Sequence, residues 1–357
     1  MTSDAHAPDR RPDRRSVLAA LGGLTLAGAP PFARAGAAGH ERDWAWLVGN
    51  WDVSHRRLRR RLAGDVNWDA FGGRSVVWQT MDGLGTIDDN ILDLPGGPYR
   101  AVGIRAFDPN AGEWLIWWLD GRNPTRIDPP VHGTFARDEG VFLGEDVFEG
   151  RPIRVRFRWH EIHGPRPHWD QAFSPDAGAT WEVNWTNAFT RTAPTPTPLP
   201  VTTDHPADFD FLAGRWRVAH RRLKARLAGS RDWETFDGTF HNWPVLGGAG
   251  NVGDNVFNRA SGPVRGVGFR AFDPASGDWL SWWLDGRTPS VISAPLTGRF
   301  TDGVGLFRSE EIIDGRRVLQ RVIWSNITPG SARWEQASSL DGVDWEVNWI
   351  SDFERVG

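Results

Sequence analysis

The chain has 357 residues, enough for about two ordinary domains, and 39% hydrophobic with 24% charged residues allows real cores and excludes wholesale disorder. The absence of cysteine excludes a disulfide framework, a thiolate metal site and a cysteine nucleophile. A formal charge of −4 with interspersed signs argues against nucleic acid as a partner, because a binder needs a basic docking field.

Residues 1–37 read as an address. Arg14-Arg15-Ser16-Val17-Leu18 is a twin-arginine pair leading into the apolar stretch 19–29, and Ala33-Arg34-Ala35 offers a small-residue exit near Ala35 or Ala37. The apolar run is short and broken by Gly22, Gly23 and Gly28, too weak to span a bilayer. The expectation is a twin-arginine-type export signal and a periplasmic or secreted mature chain without a membrane span.

From residue 41 to 191 the hydrophobic period is two. Ile87, Asp89 and Ile91 alternate with Asp88, Asn90 and Leu92, and Arg154, Arg156 and Arg158 alternate with Val155, Phe157 and Trp159. Turn signals punctuate the runs at Asp108-Pro109-Asn110-Ala111-Gly112, Phe148-Glu149-Gly150-Arg151-Pro152 and Ser174-Pro175-Asp176-Ala177-Gly178. This predicts eight to ten short strands in an antiparallel meander, closed into an up-and-down barrel with room for a small ligand. Trp114 to Leu119 is apolar on both faces, so its outer face is expected to lie under the partner barrel or a lid. His160-Glu161-Ile162-His163, with His168 nearby, suggests a metal site. Residues three apart on a strand point to opposite faces, however, and the expectation is surface histidines and no metal.

Residues 192–207 carry Pro194, Pro196, Pro198, Pro200 and Pro206, the composition of an extended, semi-rigid linker. Residues 208–357 then repeat the first unit. Trp51 to Asp176 aligns with Trp216 to Asp341 at a constant offset of 165, and a one-residue slip follows. Arg105-Ala106-Phe107-Asp108-Pro109 recurs as Arg270-Ala271-Phe272-Asp273-Pro274, and all ten Trp of the second copy match a Trp of the first. Gly248-Ala249-Gly250-Asn251-Val252-Gly253 fits a dinucleotide glycine pattern, but the following residues read as a strand and favour a glycine-rich hairpin. The fold class is all-β, two tandem barrels expected to pack on each other.

The segments Leu47-Val48-Gly49-Asn50-Trp51 and Leu212-Ala213-Gly214-Arg215-Trp216, with His220-Arg221-Arg222-Leu223, Trp233-x-x-Phe236-x-Gly238, Asn251-x-x-Asp254-Asn255 and Arg333-Trp334-Glu335-Gln336-Ala337, resemble a bacterial family of unknown function with a lipocalin-like (calycin) barrel. The resemblance covers each copy nearly end to end. It implies antiparallel barrels that bind small apolar molecules, pigments or haem, and some tandem-barrel relatives act as hydratases. The first copy departs from the pattern at His168-Trp169-Asp170-Gln171 and Thr86-Ile87-Asp88, so the copies need not be equivalent.

Polar residues present in both copies and set among aromatics are the candidate ligand anchors. They are Arg105, Asp120 and Arg156 beside Trp118, and Arg270, Asp285 and Arg321 beside Trp283; a structural ion-pair network is the other reading of the same set. Arg321, between Leu319 and Ile323, is expected to point to a core with Asp285 or Glu310 as partner. His55 and His220 are expected at a barrel rim. The leading function is an exported binding protein for a small apolar or aromatic ligand. One alternative is a cofactor-free hydratase, dehydratase or isomerase using Asp254, Glu335 or His220 as acid or base. Another is a periplasmic scaffold whose apolar outer faces bind a partner protein. No cofactor is required, although haem or another carried small molecule suits such a barrel.

Overall fold

The computed structural model describes residues 39–356, and the expected export signal at 1–37 lies outside them. In the first half, β1 (Gly49–Leu58), β2 (Trp68–Thr80), β3 (Gly85–Leu92), β4 (Tyr99–Asp108) and β5 (Glu113–Asp120) run in order. They continue as β6 (Val131–Ala136), β7 (Glu139–Phe148), β8 (Arg151–His160), β9 (His168–Ser174) and β10 (Glu182–Ala193). Each strand pairs antiparallel with its neighbours in sequence, and β1 pairs with β10, closing a ten-stranded barrel. The second half repeats this with β11 (Gly214–Leu223), β12 (Trp233–Val245), β13 (Gly250–Arg259), β14 (Gly262–Asp273) and β15 (Asp278–Asp285). Its remaining strands are β16 (Leu296–Thr301), β17 (Val304–Ile313), β18 (Arg316–Ser325), β19 (Ser331–Ser339) and β20 (Glu346–Val356), and β20 closes on β11. Closure removes the unpaired edges that a ten-stranded open meander would expose. The fold class is therefore two closed antiparallel up-and-down barrels in tandem.

Local chemistry sets the hairpins. Glu149-Gly150 and Asp314-Gly315, at the β7–β8 and β17–β18 turns, take positive φ at both central positions (48 and 80°, 49 and 74°). That is the turn whose twist matches flanking strands. In β1, Trp51, Val53 and His55 face inward while Asp52, Ser54 and Arg56 face water. The Gly248–Gly253 segment is the end of a 3-10 turn, Leu246–Gly248, running into β13.

One end of each barrel is closed by a 3-10 turn, Ala45–Leu47 or Ala207–Leu212, just before the first strand. Trp51 Nε1 donates to the Leu47 carbonyl at 2.7 Å, and Trp216 Nε1 to that of Leu212 at 2.8 Å. Arg191 and Arg355, from the last strands, stack on the same two indoles at 4.0 and 4.3 Å and donate to carbonyls of the closing turns. Trp114 and Trp279 bond the turn-side carboxylates Asp43 and Asp208 at 2.8 and 2.9 Å.

The two barrels share one apolar core. Leu115, Trp117 and Leu119 of β5 and Leu280, Trp282 and Leu284 of β15 pack in it with Val76, Trp78, Trp243 and Val245. The outer face of the all-apolar strand is thus covered by the other barrel, while Trp114 and Ile116 fill the first barrel's own interior. The arrangement is reciprocal. Asp89 accepts the Leu246 N–H at 3.0 Å and Asp254 accepts the Met81 N–H at 3.3 Å; the pairs are equivalent at the repeat offset. Leu246 packs over Gly121 and Met81 over Gly286. Such mutual exchange is the signature of a two-fold interface. The linker is fastened rather than free: Thr197 and Asn50 exchange two hydrogen bonds, and Leu199 enters the shared core. Among the described residues no helix is long and apolar enough to cross a membrane.

Candidate functional site

Each barrel encloses a cavity, about 300 Å³ in the first and about 200 Å³ in the second. In the second, β12 presents Phe236 and Phe240, β13 Phe257 and β20 Trp349, and β15 adds Trp283. These rings come from alternate positions on strands whose opposite faces meet water or the neighbouring barrel, which is why the interior is so aromatic.

The closed end of this cavity holds Arg270. The side chain is 8% exposed and stacks on Phe209 of the closing turn and on Trp324, at 4.9 and 5.6 Å. Its Nη1 donates to Asn251 Oδ1 at 2.8 Å, and its Nε has no acceptor among the described residues. No carboxylate pairs with it there. Burial lowers its pKa to about 10, so it remains a cation at neutral pH.

The equivalent Arg105 is in a different electrical state. It pairs with Asp88 at 2.5 Å, and Asp88 also accepts the Gly103 N–H at 2.8 Å and a bond from Asn90. Two coupled replacements separate the copies. Asp88 and Ser75 line the first cavity, whereas the second has Gly253 and Phe240 at those positions, and a Cβ built on Gly253 would overlap the Phe240 ring. The phenyl ring takes the room of the carboxylate. A buried ion pair in one barrel has become a buried unpaired cation over an apolar wall in the other.

Midway along each cavity lies a histidine. His220 Nδ1 meets Ser351 Oγ at 2.8 Å and receives the Trp349 indole N–H at 3.4 Å; His55 Nδ1 meets Asn187 Oδ1 at 2.6 Å. Burial lowers both pKa values to about 4, so both rings are neutral at pH 7. They are interior groups, not the rim residues expected, because their strand parity is that of Trp51 and Trp216. At the open end Arg222 and Arg259 share Glu234 at 3.3 and 2.6 Å. Asp285 is bonded by Arg287 within the turn after β15, as Asp120 is by Arg122.

Of the residues singled out in the sequence, Trp118, Arg105 and Asp120 line the first cavity, and Trp283, Arg270, Asp285 and His220 the second. Arg156 and Arg321 do not line them. They stack on Trp181 and Trp345 at 4.7 and 4.5 Å outside the barrels. The inward residues of β18 are Val318, Gln320, Val322 and Trp324, so Arg321 takes the opposite face with Leu319 and Ile323. Glu310 pairs with exposed Arg317 instead. Asp254 lies between the barrels, and Glu335 on the face of β19 opposite Trp334 and Gln336; neither shares a cavity with His220. His160 and His168 stack on each other at 5.2 Å, and His160 meets Asp170 at 3.1 Å. The residues missed were Ser75 and Phe240; the offset of 165 aligns them, but only the strand pairing sets Phe240 against Gly253 and so couples the two exchanges.

No family model and no curated protein matches the chain. Among solved structures it is similar to the S-type phycobiliprotein lyase CPES from Guillardia theta, at 12% identity, covering 42% of this chain and 90% of that one with a TM-score of 0.30. A protein of unknown function in the DUF3598 family of Nostoc punctiforme matches at 12% identity over 89% of this chain and 99% of that one, TM-score 0.24. A Trp-176-Ala mutant of transferrin binding protein B from Haemophilus parasuis matches at 7% identity over 87% and 76%, TM-score 0.20. The barrel assignment rests on the strand pairing rather than on these likenesses.

Proposed function

We propose that the protein is an exported binding protein that holds a small, largely apolar or aromatic molecule in a Trp-rich barrel cavity. The observation that carries this reading is the pair of aromatic cavities, one inside each barrel and each closed at one end. Catalysis by general acid and base needs groups with pKa values near the working pH, within reach of one substrate. Here Asp254 and Glu335 lie outside the cavity that contains His220, and that histidine is neutral well below pH 7. A scaffold reading fits less well, because the apolar outer faces of β5 and β15 are buried between the two barrels. Export through the segment at 1–37 belongs to the proposal.

Native mass spectrometry on gently purified, exported protein tests it. The expected result is extra mass removed by organic extraction, together with a saturable change in Trp fluorescence for at least one member of a lipophile and sugar panel. Empty barrels and no response across the panel would sink the reading.

A further inference from the structure

We infer that the second barrel takes an organic monoanion, a carboxylate on an apolar or aromatic body, with the carboxylate seated on Arg270 at the closed end and the body among Phe257, Trp283 and Trp349. This rests on the binding-protein reading above and specifies its ligand. The ground is the contrast between two equivalent sites in one chain. Arg105 is neutralised within the protein by Asp88, whereas Arg270 is 8% exposed, faces the cavity and has no carboxylate partner among the described residues. A buried charge without a counterion is costly, and a guanidinium offers a planar fork of donors that a carboxylate fits. Asn251 Nδ2, beside it, is a second buried donor without an acceptor. The phenyl ring of Phe240 has replaced Ser75, and Gly253 has replaced Asp88, so the protein's own anion has left and the wall has become more apolar. Those two changes suit a ligand that brings its own negative charge on a hydrophobic frame.

At the matching position of the first cavity, the Arg105–Asp88 pair leaves no such cation for a ligand's carboxylate. The open end of the second barrel also carries arginines, but Arg222 and Arg259 share Glu234 and so already have a counterion.

The test uses the full chain and a shape-matched pair of probes, 2-naphthoate and 2-naphthamide, in isothermal titration calorimetry. Wild-type protein should prefer naphthoate by about ten- to a hundred-fold, the usual range for a charged hydrogen bond in a buried site. Arg270→Met should abolish that preference while naphthamide binding persists, which shows an intact cavity. The double variant Phe240→Ser with Gly253→Asp, which rebuilds the first barrel's ion pair, should lose the preference as well. Equal binding of the two probes by wild type, or a preference unaffected by Arg270→Met but removed by Arg222→Met, would overturn the inference and leave the binding reading standing. A preference satisfied by phosphate or chloride alone, each competing fully with naphthoate, would overturn the organic-ligand assignment. Binding of neither probe, with the wider panel also silent, would remove the binding reading itself.

Discussion

Trp78 and Trp243 occupy the same position in the two copies and face each other, ring centroids 5.3 Å apart at 31°. A position that meets its own equivalent lies on a two-fold axis, and here the axis runs between barrels of a single chain. Truncating either ring should cost about 3–5 kcal/mol of stability. Because both substitutions remove the same contact, the double variant should cost less than the sum of the singles. Denaturant unfolding of the two singles and the double checks this, and strict additivity would contradict it.

The two cavity arginines should answer the same substitution in opposite ways. Arg105→Met strands Asp88 in a buried site and should destabilise the protein by about 3–5 kcal/mol. Arg270→Met removes a buried cation that lacks a counterion and should be neutral or stabilising in ligand-free protein. Thermal unfolding of the pair decides the matter: similar losses in both would mean that Arg270 has a partner of equal worth.

The pH dependence is a contest between two pairs of groups. Burial pushes Asp89 and Asp254 up to about 6, although Arg100 beside Asp89 pulls the other way. Between about pH 4 and 6 the folded protein therefore keeps protons that the unfolded chain has released, and stability falls as pH rises. Burial pushes His55 and His220 down to about 4. Between about pH 4 and 6.5 the unfolded chain takes up protons that the folded one refuses, so stability rises with pH. Each group contributes up to about 3 kcal/mol, and the slopes oppose. Asp254→Asn keeps an acceptor for the Met81 N–H and should make stability climb more steeply from pH 4 to 6.5, while His220→Gln should flatten or reverse the climb. Unchanged slopes in both variants would refute the assignment.

Gly133 and Gly298, equivalent positions in β6 and β16, admit no side chain. A Cβ at either would overlap the carbonyl oxygen of Val141 or Leu306 on the neighbouring strand, and backbone cannot step aside as a side chain can. Gly298→Ala should cost about 3 kcal/mol, at the upper end for overpacking, measured as a shift in the unfolding midpoint. A wild-type midpoint would show that the strands are less tightly apposed.

Much of the architecture is legible in the residues. The period of two, the turn residues and the offset of 165 lead to tandem meander barrels, and the doubly apolar strand leads to a covered outer face. The orientation of Arg321 is not legible, because β18 is apolar on both faces and strand parity alone cannot choose between Val318 with Val322 and Leu319 with Ile323. Arg156, by contrast, shares a face with Arg154 and Arg158 against Val155, Phe157 and Trp159, and that parity already turns it outward. The meaning of Arg270 was half visible. Its recurrence marked it, but the loss of its counterion depends on which residues of β12 and β13 stand where β2 and β3 carry Ser75 and Asp88 in the first barrel, and that is a matter of register.

The reciprocal interface has the geometry that two identical subunits of a symmetric dimer would share, held here within one polypeptide. In the dimer, every substitution inside a barrel is made twice, so the interior can never hold two different answers. Joined by the segment between β10 and the second closing turn, the halves can change separately. One keeps its internal counterion while the other discards it, and the shared core holds them together whatever either interior becomes. One polypeptide thus gives a two-fold contact two interiors that need not match.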